Sequence, residues 1–376
     1  MPIHRPIRKL TILLGSLVSA AATVWLLGGL LLGGPSAAQL QQGAQLELSK
    51  QFSRTVTNSL SDGLQDVSGE DMSINIQKEY WLSDEDQVAP EPDPACYGRT
   101  TDPQDLEEVI AQAQELLDGQ ELVFSTDVTI TEGSEIAWYL DETILMISWK
   151  ETFSWREYTF TEVKILHPSQ FRRFLSGGEY GSGVLYTASE MSASVNAVVA
   201  SSADYYGYRP FGNMVYNGKV VRWGDNLLDT CYVDVNGDLL FARTAELIEK
   251  EEIEAYVEEN DIRFSLAFGP LMLLDGERVW HGYYPIGEVN RYYSRAALCQ
   301  QGKLHYLVVA ANRSGSDIYL FSKTLLSKGI RTAYALDGGQ TATIVIQDQA
   351  FNHVDYGGER KISDIIYFAT AIPDGG

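Results

Sequence analysis

The sequence predicts an α+β fold, in which a mixed β-sheet domain with flanking helices and an antiparallel meander follows one N-terminal transmembrane helix. Three observations predict this fold. A run of 23 residues without charge occupies residues 10–32, short runs rich in Val, Ile, Thr, Trp and Tyr recur after residue 120, and Asn-Gly or Asp-Gly pairs separate apolar runs. With 45% apolar residues among 376, the chain can bury one large core or two smaller ones.

The chain is strongly acidic beyond its first segment. Its formal net charge is −23, and the charges before residue 35 are the three positive ones of Arg5, Arg8 and Lys9, so the remainder carries −26. This field argues against nucleic acid as a partner, and an anionic substrate would need a local arginine cluster. The cysteines lack metal-type spacing, and three unpaired thiols are favoured over one disulfide. They are Cys96, Cys231 and Cys299.

The first hundred residues predict an anchor and a linker. Residues 10–32 are long enough to span a bilayer as a helix, and the basic residues before them place residues 1–9 in the cytoplasm. Residues 33–104 read as an extracytoplasmic stalk or linker. The alternative is a signal peptide cleaved near Ser36-Ala37-Ala38, which would give a secreted protein. We favour the uncleaved anchor, which makes this a single-pass membrane protein with its C-terminal domain outside the cytoplasm.

Residues 105–190 predict an N-terminal α/β part. Asp102-Pro103 is a typical helix start, and apolar residues at helical spacing follow it. Residues 121–165 then predict short antiparallel strands. Residues 167–175 predict a short helix, on which Arg172 and Arg173 are interpreted as a solvated surface pair rather than an anion contact.

Residues 191–372 predict the main domain. A buried strand over 195–202 leads into an aromatic loop over 203–209, whose tyrosines suit sugar rings and whose Arg209 suits a phosphate, although an ordinary aromatic loop is an equal alternative. Three hairpins and an acidic helix over 245–259 follow. The hairpin turns are Asn217-Gly218, Asn236-Gly237 and Asp275-Gly276.

The stretch over 317–346 is predicted to form the centre of the domain. A helix begins after Asp317 and ends at Gly329, a buried strand covers 333–336, and a second strand covers 341–346. Between these strands lies Asp337-Gly338-Gly339, whose glycines let backbone amides turn toward an anion while the carboxylate is held at a strand end. The alternative is a tight hairpin turn.

Seven stretches in order resemble the phosphodiester glycosidase family over about residues 195–370. They are SADYYGYR, GNMVYNGKVVR, AFGPLMLLDGERV, SRAAL, LVVAANR, ALDGGQTATIVI and GGERKISDIIYF. The resemblance implies a pocket lined by Asp204, Arg295, Arg313, Asp337, Gly338, Gly339 and Arg360. Three departures stand out, because Ser202-Ala203 replaces the family's Asn-Gly, Gln340-Thr341-Ala342 replaces Gly-Ser-Ser, and Ala311-Asn312 replaces Asp-Gly.

The resemblance implies hydrolysis of the anomeric C–O bond of a sugar 1-phosphodiester, of the N-acetylglucosamine-phosphate type, in a surface or secreted glycan. Asp337 is the expected catalytic carboxylate, with Glu359 and Asp204 as reserves. The expected substrate and phosphate contacts are Arg295, Arg313, Arg360, Gly338, Gly339, Gln340, Thr341, Tyr206 and Arg209. No cofactor is required by this chemistry, and calcium stays open as a metal. The expected partners are a phosphorylated glycan or cell-envelope polymer and the membrane.

Two alternatives to this hydrolase remain. The departures at Ser202-Ala203 and Gln340 favour a non-catalytic module that binds a cell-envelope glycan on the same fold. A phosphodiesterase that cuts the P–O bond is the other alternative. The identity of the products separates all three hypotheses.

Overall fold

The structure is a computed structural model that describes residues 129–370, except 132–135, 142, 166, 196, 205, 210, 225–226, 281 and 283. The predicted cytoplasmic tail, transmembrane helix, stalk and first helix lie outside the described residues. Among the helices that are described, none has the length and apolar character needed to cross a bilayer. The anchor and the domain boundaries therefore stay predictions.

The described part of the chain is mostly β, with three α-helices. The strands are β1 (Thr129–Thr131), β2 (Ile136–Leu140), β3 (Ile144–Phe153), β4 (Arg156–Ile165), β5 (Phe171–Leu175), β6 (Val199–Ser202), β7 (Met214–Tyr216), β8 (Lys219–Arg222), β9 (Thr230–Asp234), β10 (Leu239–Ala242), β11 (Ile262–Leu266), β12 (Leu271–Leu274), β13 (Glu277–Arg278), β14 (Tyr293–Gly302), β15 (His305–Ser316), β16 (Thr332–Leu336), β17 (Ile344–Ile346), β18 (Gln349–Ala350) and β19 (Asp364–Phe368). The helices are α1 (Ala188–Val195), α2 (Lys250–Glu259) and α3 (Ile318–Ser327).

Two large sheets form the body of the domain. One has nine strands in the order β1-β2-β3-β4-β15-β14-β16-β12-β13, and the other has five in the order β18-β17-β6-β19-β5. Alternate residues of each strand point to opposite faces, so Ala296 and Leu298 join the core between the sheets while Ala297 and Cys299 pack toward α3. The far face of the five-stranded sheet packs on α1. The layers therefore run α3, nine-stranded sheet, five-stranded sheet, α1.

The predicted mixed sheet is wrong, because every strand pair in the described residues is antiparallel. The strand–helix–strand order of β15, α3 and β16 suggested parallel neighbours. These two strands do run in the same direction, but β14 lies between them and pairs antiparallel with both. A helical crossover that skips one strand keeps the sheet antiparallel.

The three predicted hairpins form, but not as one meander. The turns at Asn217-Gly218 and Asp275-Gly276 have both residues at positive φ, as two-residue hairpins require. However, β7–β8 is a separate two-stranded sheet, β9–β10 belongs to a three-stranded sheet with β11, and β12–β13 ends the nine-stranded sheet. The acidic helix is also shorter than predicted, since α2 spans Lys250–Glu259.

The short helix predicted over 167–175 is wrong. A 3-10 turn at Pro168–Gln170 leads into β5, which pairs along its whole length with β19. Phe171 stacks on Phe368 with ring centroids 4.7 Å apart, so the strand is held by tertiary packing. The interpretation of Arg172 and Arg173 as a solvated pair is also wrong, because both are buried.

The central stretch largely forms as predicted. Asp317 caps α3 by accepting from the Leu320 N–H at 2.6 Å, and Gly329 follows the helix at φ +79°. β16 ends at Leu336, and β17 pairs with β6 and β18 rather than with β16. The hairpin interpretation of Asp337-Gly338-Gly339 is therefore wrong, since this segment, which we call the glycine corner, carries the chain from one sheet to the other.

Candidate active site

The glycine corner is fixed by close backbone packing. The Asp337 N–H donates to the Ala203 carbonyl at 3.1 Å, which joins the corner to the aromatic loop after β6. A Cβ atom at Gly338 would lie 2.8 Å from the Ser294 carbonyl oxygen, and Gly339 has φ +69°. Both positions therefore require glycine, one for space and one for backbone conformation.

We expect Gly338→Ala to destabilise the protein by about 1–3 kcal/mol, because the methyl group would force the Ser294 backbone to move. Urea denaturation measures the change. Gly302→Ala is the matched control, since an added Cβ there meets nothing within 4 Å. Equal stability of both variants would contradict the tight packing of the corner.

The Asp337 carboxyl group is buried at this corner, with the residue 7% exposed. Its Oδ1 accepts the Gly338 N–H at 2.9 Å. Burial raises the pKa of Asp337 to about 6, against the opposing effects of the Thr341 hydroxyl and of the charges on Arg209 and Arg360. A carboxyl group that titrates near neutrality can exchange protons with a substrate or water.

Arg209 is held by the carboxylate of Asp204. Its Nη2 contacts Asp204 Oδ1 at 2.5 Å, its side chain is only 2% exposed, and its charge also acts on Asp337. Its guanidinium carbon lies 5.3 Å from the centroid of the Phe268 ring. This cation is therefore positioned by Asp204 and an aromatic ring rather than by solvent.

Asp204 is a fully buried anion. Its Oδ2 accepts the Ala267 N–H at 2.9 Å and lies 3.4 Å from Arg173 Nη2. Burial alone would raise the pKa of Asp204, but the charges of Arg209, Arg173 and Arg222 hold it below its ordinary value. The predicted reserve carboxylate thus stays ionised and orients Arg209.

Three members of this cluster, Arg173, Arg222 and Asp364, were missed as site residues by sequence reasoning. Asp364 Oδ2 accepts from Arg173 Nε at 2.7 Å, and Asp364 Oδ1 accepts the Asp204 N–H at 3.2 Å. Burial raises the pKa of Asp364 to about 7 despite the charge of Arg173. The available signal was an acid inside the apolar strand of KISDIIYF, because a buried carboxylate needs a buried cation. We call Arg173, Asp204, Arg209, Arg222 and Asp364 the buried ion cluster.

Arg295, one of the arginines implied by the resemblance, has structural partners. The guanidinium of Arg295 donates to four backbone carbonyls at 2.6–3.1 Å, and burial lowers its pKa to about 10. Those carbonyls belong to Ser316, Gly287, Glu288 and Arg291. The geometry therefore gives Arg295 the task of holding the 287–291 loop. The side chain of Arg313 lies outside the described part of the structure.

Arg360 does lie near the glycine corner. Its charge acts on Asp337, and its guanidinium carbon is 5.1 Å from the centroid of the Tyr208 ring. The loop that carries it is tied down by Gln340, whose Nε2 donates to the Gly358 carbonyl at 3.1 Å. Gln340 therefore connects the corner with the 355–360 loop.

Three other predicted site residues have structural partners. Both oxygens of Glu359 accept from Ser189, one from the backbone N–H at 3.0 Å and one from the hydroxyl, at the start of α1. The Thr341 hydroxyl donates to the Gly338 carbonyl at 2.7 Å. Tyr206 packs its ring 5.6 Å from the guanidinium carbon of Arg173, and burial raises the pKa of its phenol.

Comparison with known proteins decides the family. Residues 189–369 match the family model described as phosphodiester glycosidase. The chain therefore contains a phosphodiester glycosidase family domain. No curated protein matches the sequence at a significant level.

The phosphodiester glycosidase domain also resembles solved structures at low identity. The zebrafish N-acetylglucosamine-1-phosphodiester alpha-N-acetylglucosaminidase catalytic domain, auto-inhibited by its pro-peptide, is 15% identical, with 68% of this chain and 92% of that chain covered at TM-score 0.49. A hypothetical protein from Synechocystis is 14% identical, with coverages of 62% and 63% at TM-score 0.44. A putative exported protein from Burkholderia pseudomallei is 13% identical, with coverages of 57% and 74% at TM-score 0.39. The assignment of the family domain rests on the sequence match over residues 189–369.

The phosphodiester glycosidase domain thus holds one titratable carboxyl group at the glycine corner, where the charges of Arg209 and Arg360 act on it. Within the described residues there is no group of three or more His, Cys, Asp or Glu side chains that could hold a metal ion. A cavity of about 780 Å³ lies between β5, the β7–β8 hairpin, α2 and β11, and the predicted site residues do not line it. The chemistry that the corner can support is proton transfer beside a bound anion.

Proposed function

We propose that the phosphodiester glycosidase domain hydrolyses the anomeric C–O bond of a sugar 1-phosphodiester, of the N-acetylglucosamine-phosphate type, in a surface or secreted glycan outside the cytoplasm. The observation that carries the proposal is the glycine corner, which holds the buried Asp337 carboxyl group against the Gly338 N–H. Burial raises the pKa of Asp337 to about 6, and the charges of Arg209 and Arg360 act on it. The match of residues 189–369 to the family supports the same reaction.

In the proposed reaction, the Asp337 carboxylate removes a proton from water. The water oxygen bonds to the anomeric carbon, the bond from that carbon to the phosphate oxygen breaks, and the phosphomonoester leaves with the electron pair. This leaving group is already a stable anion, so a second carboxyl group acting as general acid is not needed. The scheme requires no metal, because arginine can compensate the phosphate charge.

Phosphate binding in this scheme falls to Arg360 and Arg209. Arg295 has its guanidinium occupied by four carbonyls, whereas the charges of Arg360 and Arg209 reach Asp337. Arg209 is also fixed in advance by Asp204, so no side-chain ordering is required when charge develops. Asp204, Arg173, Arg222 and Asp364, the other members of the buried ion cluster, are positioning residues in this scheme.

We expect kcat/KM to fall about tenfold per pH unit below about pH 6, because Asp337 must be ionised to accept a proton and its pKa is about 6. The measurement is the pH–rate profile of the full-length protein with N-acetylglucosamine 1-phosphate methyl ester. A limb at about pH 4, the ordinary range of carboxyl groups, would instead remove Asp337 from the role of general base.

The reaction itself is tested by its products. With the same methyl ester in oxygen-18 water, the proposal predicts free N-acetylglucosamine that carries the label and unlabelled methyl phosphate. Label in the phosphate would instead establish the phosphodiesterase alternative, in which the P–O bond is cut.

The binding-module alternative is motivated by the departures from the family pattern. Gln340 is engaged with the Gly358 carbonyl, and Ser202 stands buried where relatives have asparagine. Calorimetry with the methyl ester separates the two hypotheses. Binding without release of sugar, unchanged in Asp337→Asn, would favour the module over the enzyme.

A further inference from the structure

Two large aromatic side chains are almost fully exposed to solvent, and both residues have positive φ angles. Trp155 and Tyr356 are each 92% exposed, and their φ angles are +69° and +61°. Bulky residues are rarely found in the left-handed region, because Cβ there lies too close to the following carbonyl oxygen. Because exposed rings gain little from burial, the fold itself gives no reason for an aromatic residue at either position.

The segments that carry both aromatic residues contact the same edge of the nine-stranded sheet. Trp155 occupies the tight turn between β3 and β4, close to Glu157, which pairs in register with Asn312 of β15. Tyr356 follows Asn352, whose Nδ2 donates to Asn312 Oδ1 at 2.9 Å. Both segments are therefore connected to Asn312 of β15.

This edge is continuous with the glycine corner. On one side, Gln340 holds the loop that carries Tyr356 through the Gly358 carbonyl. On the other side, Arg156 donates to the Gly315 carbonyl at 2.7 Å and lies 4.9 Å from the centroid of the Tyr292 ring. Tyr292 is 57% exposed and precedes the strand whose Ser294 carbonyl packs on Gly338.

We propose that Trp155, Tyr292 and Tyr356, the aromatic rim, bind sugar rings on either side of the scissile phosphodiester, so that the substrate is an oligomeric phosphate-linked glycan rather than a single sugar diester. Aromatic faces suit the apolar faces of pyranose rings, and their polar tips suit the hydroxyls. Arg156 adds a positive charge beside Tyr292 that attracts the phosphates of such a chain. The inference rests on the proposed function, because it extends the same site.

The test compares N-acetylglucosamine 1-phosphate methyl ester with a short oligomer of N-acetylglucosamine 1-phosphate, using the full-length protein. We expect wild type to show the higher kcat/KM with the oligomer. Trp155→Asn and Tyr356→Asn should each lower the oligomer's kcat/KM about tenfold more than that of the methyl ester, through KM, since stacking stabilises ground and transition states alike.

Asparagine is the chosen substitute because it tolerates the left-handed backbone, so the thermal unfolding temperature should stay equal or rise. Trp223→Asn is the matched control, since Trp223 is 48% exposed next to β8 and should affect neither probe. Equal losses of kcat/KM for both probes, or no preference for the oligomer in wild type, would overturn the proposal that the aromatic rim binds sugar rings.

Failure of the proposed function gives a different result. If wild type releases no sugar from the methyl ester, hydrolysis is wrong, and oligomer binding measured by calorimetry still tests the rim. Weaker binding by the Trp155→Asn/Tyr356→Asn double variant would support the rim, and unchanged binding would overturn it.

Discussion

Asp337→Asn is expected to lower kcat for N-acetylglucosamine 1-phosphate methyl ester by about 10³-fold while the protein stays folded. A positioned general base contributes about 10²–10⁴-fold, and the amide cannot accept the proton of water. The substitution conserves size, so the Gly338 N–H can still donate to the side-chain oxygen. Initial rates at about pH 7.5, above the pKa of Asp337, measure the loss.

The same substitution is expected to stabilise the fold in neutral and alkaline solution. The pKa of Asp337 is raised from 3.8 to about 6, so the native state favours the protonated form. The stability that this proton provides is fully present below about pH 3.8 and is lost as pH rises through about 6. The difference of about 2 between these pKa values corresponds to at most about 3 kcal/mol.

Urea denaturation of wild type and Asp337→Asn at about pH 4 and pH 8 tests this linkage. We expect similar stabilities at the lower pH and a more stable variant at the higher pH. Asp275→Asn, at an exposed turn with φ +54°, is the control that should change neither activity nor stability. An active Asp337→Asn protein would show that Asp337 is not the general base. A variant as stable as wild type at both pH values would show that ionisation of Asp337 does not destabilise the native state.

The sequence could locate the glycine corner because local rules and tertiary structure agree there. Apolar spacing identified α3, Asp317 and Gly329 supplied its ends, and two glycines after a buried strand marked the turn. For β5, the local sequence pattern and the tertiary structure disagree. Phe171, Phe174 and Leu175 recur at helical spacing, yet pairing with β19 and the stack on Phe368 decide for a strand.

The site was less predictable because it depends on partners that are distant in sequence. Family resemblance nominated Arg295, but sequence could not show that the 287–291 loop folds back and occupies the guanidinium. Arg173 and Asp364 are 191 residues apart and each lies in an ordinary-looking strand. Charged residues in apolar strands were the signal, and their pairing required the register between β5 and β19.

Arg173→Met is expected to have the largest effect on stability, a loss of about 3–5 kcal/mol in urea denaturation at neutral pH. Arg173 is fully buried between Asp204 and Asp364 and also donates to the Ser265 carbonyl. Methionine fills similar space but leaves these acceptors without their cation. Arg331→Met is the control, because Arg331 is largely exposed to solvent and should change stability by less than about 0.5 kcal/mol.

Asp364→Asn should cost less, about 1–3 kcal/mol, although it touches the same ion pair. Burial raises the pKa of Asp364, so a neutral side chain is favoured here more than at an exposed aspartate. The amide oxygen can still accept from Arg173, while the Asp204 N–H loses its acceptor. Equal losses of stability in Arg173→Met and Asp364→Asn would show that packing, rather than the ion pairs, is the main contribution of this region to stability. An Arg173→Met protein as stable as wild type would mean that Arg209 is held without the cluster, and the preorganised phosphate site would lose its physical basis.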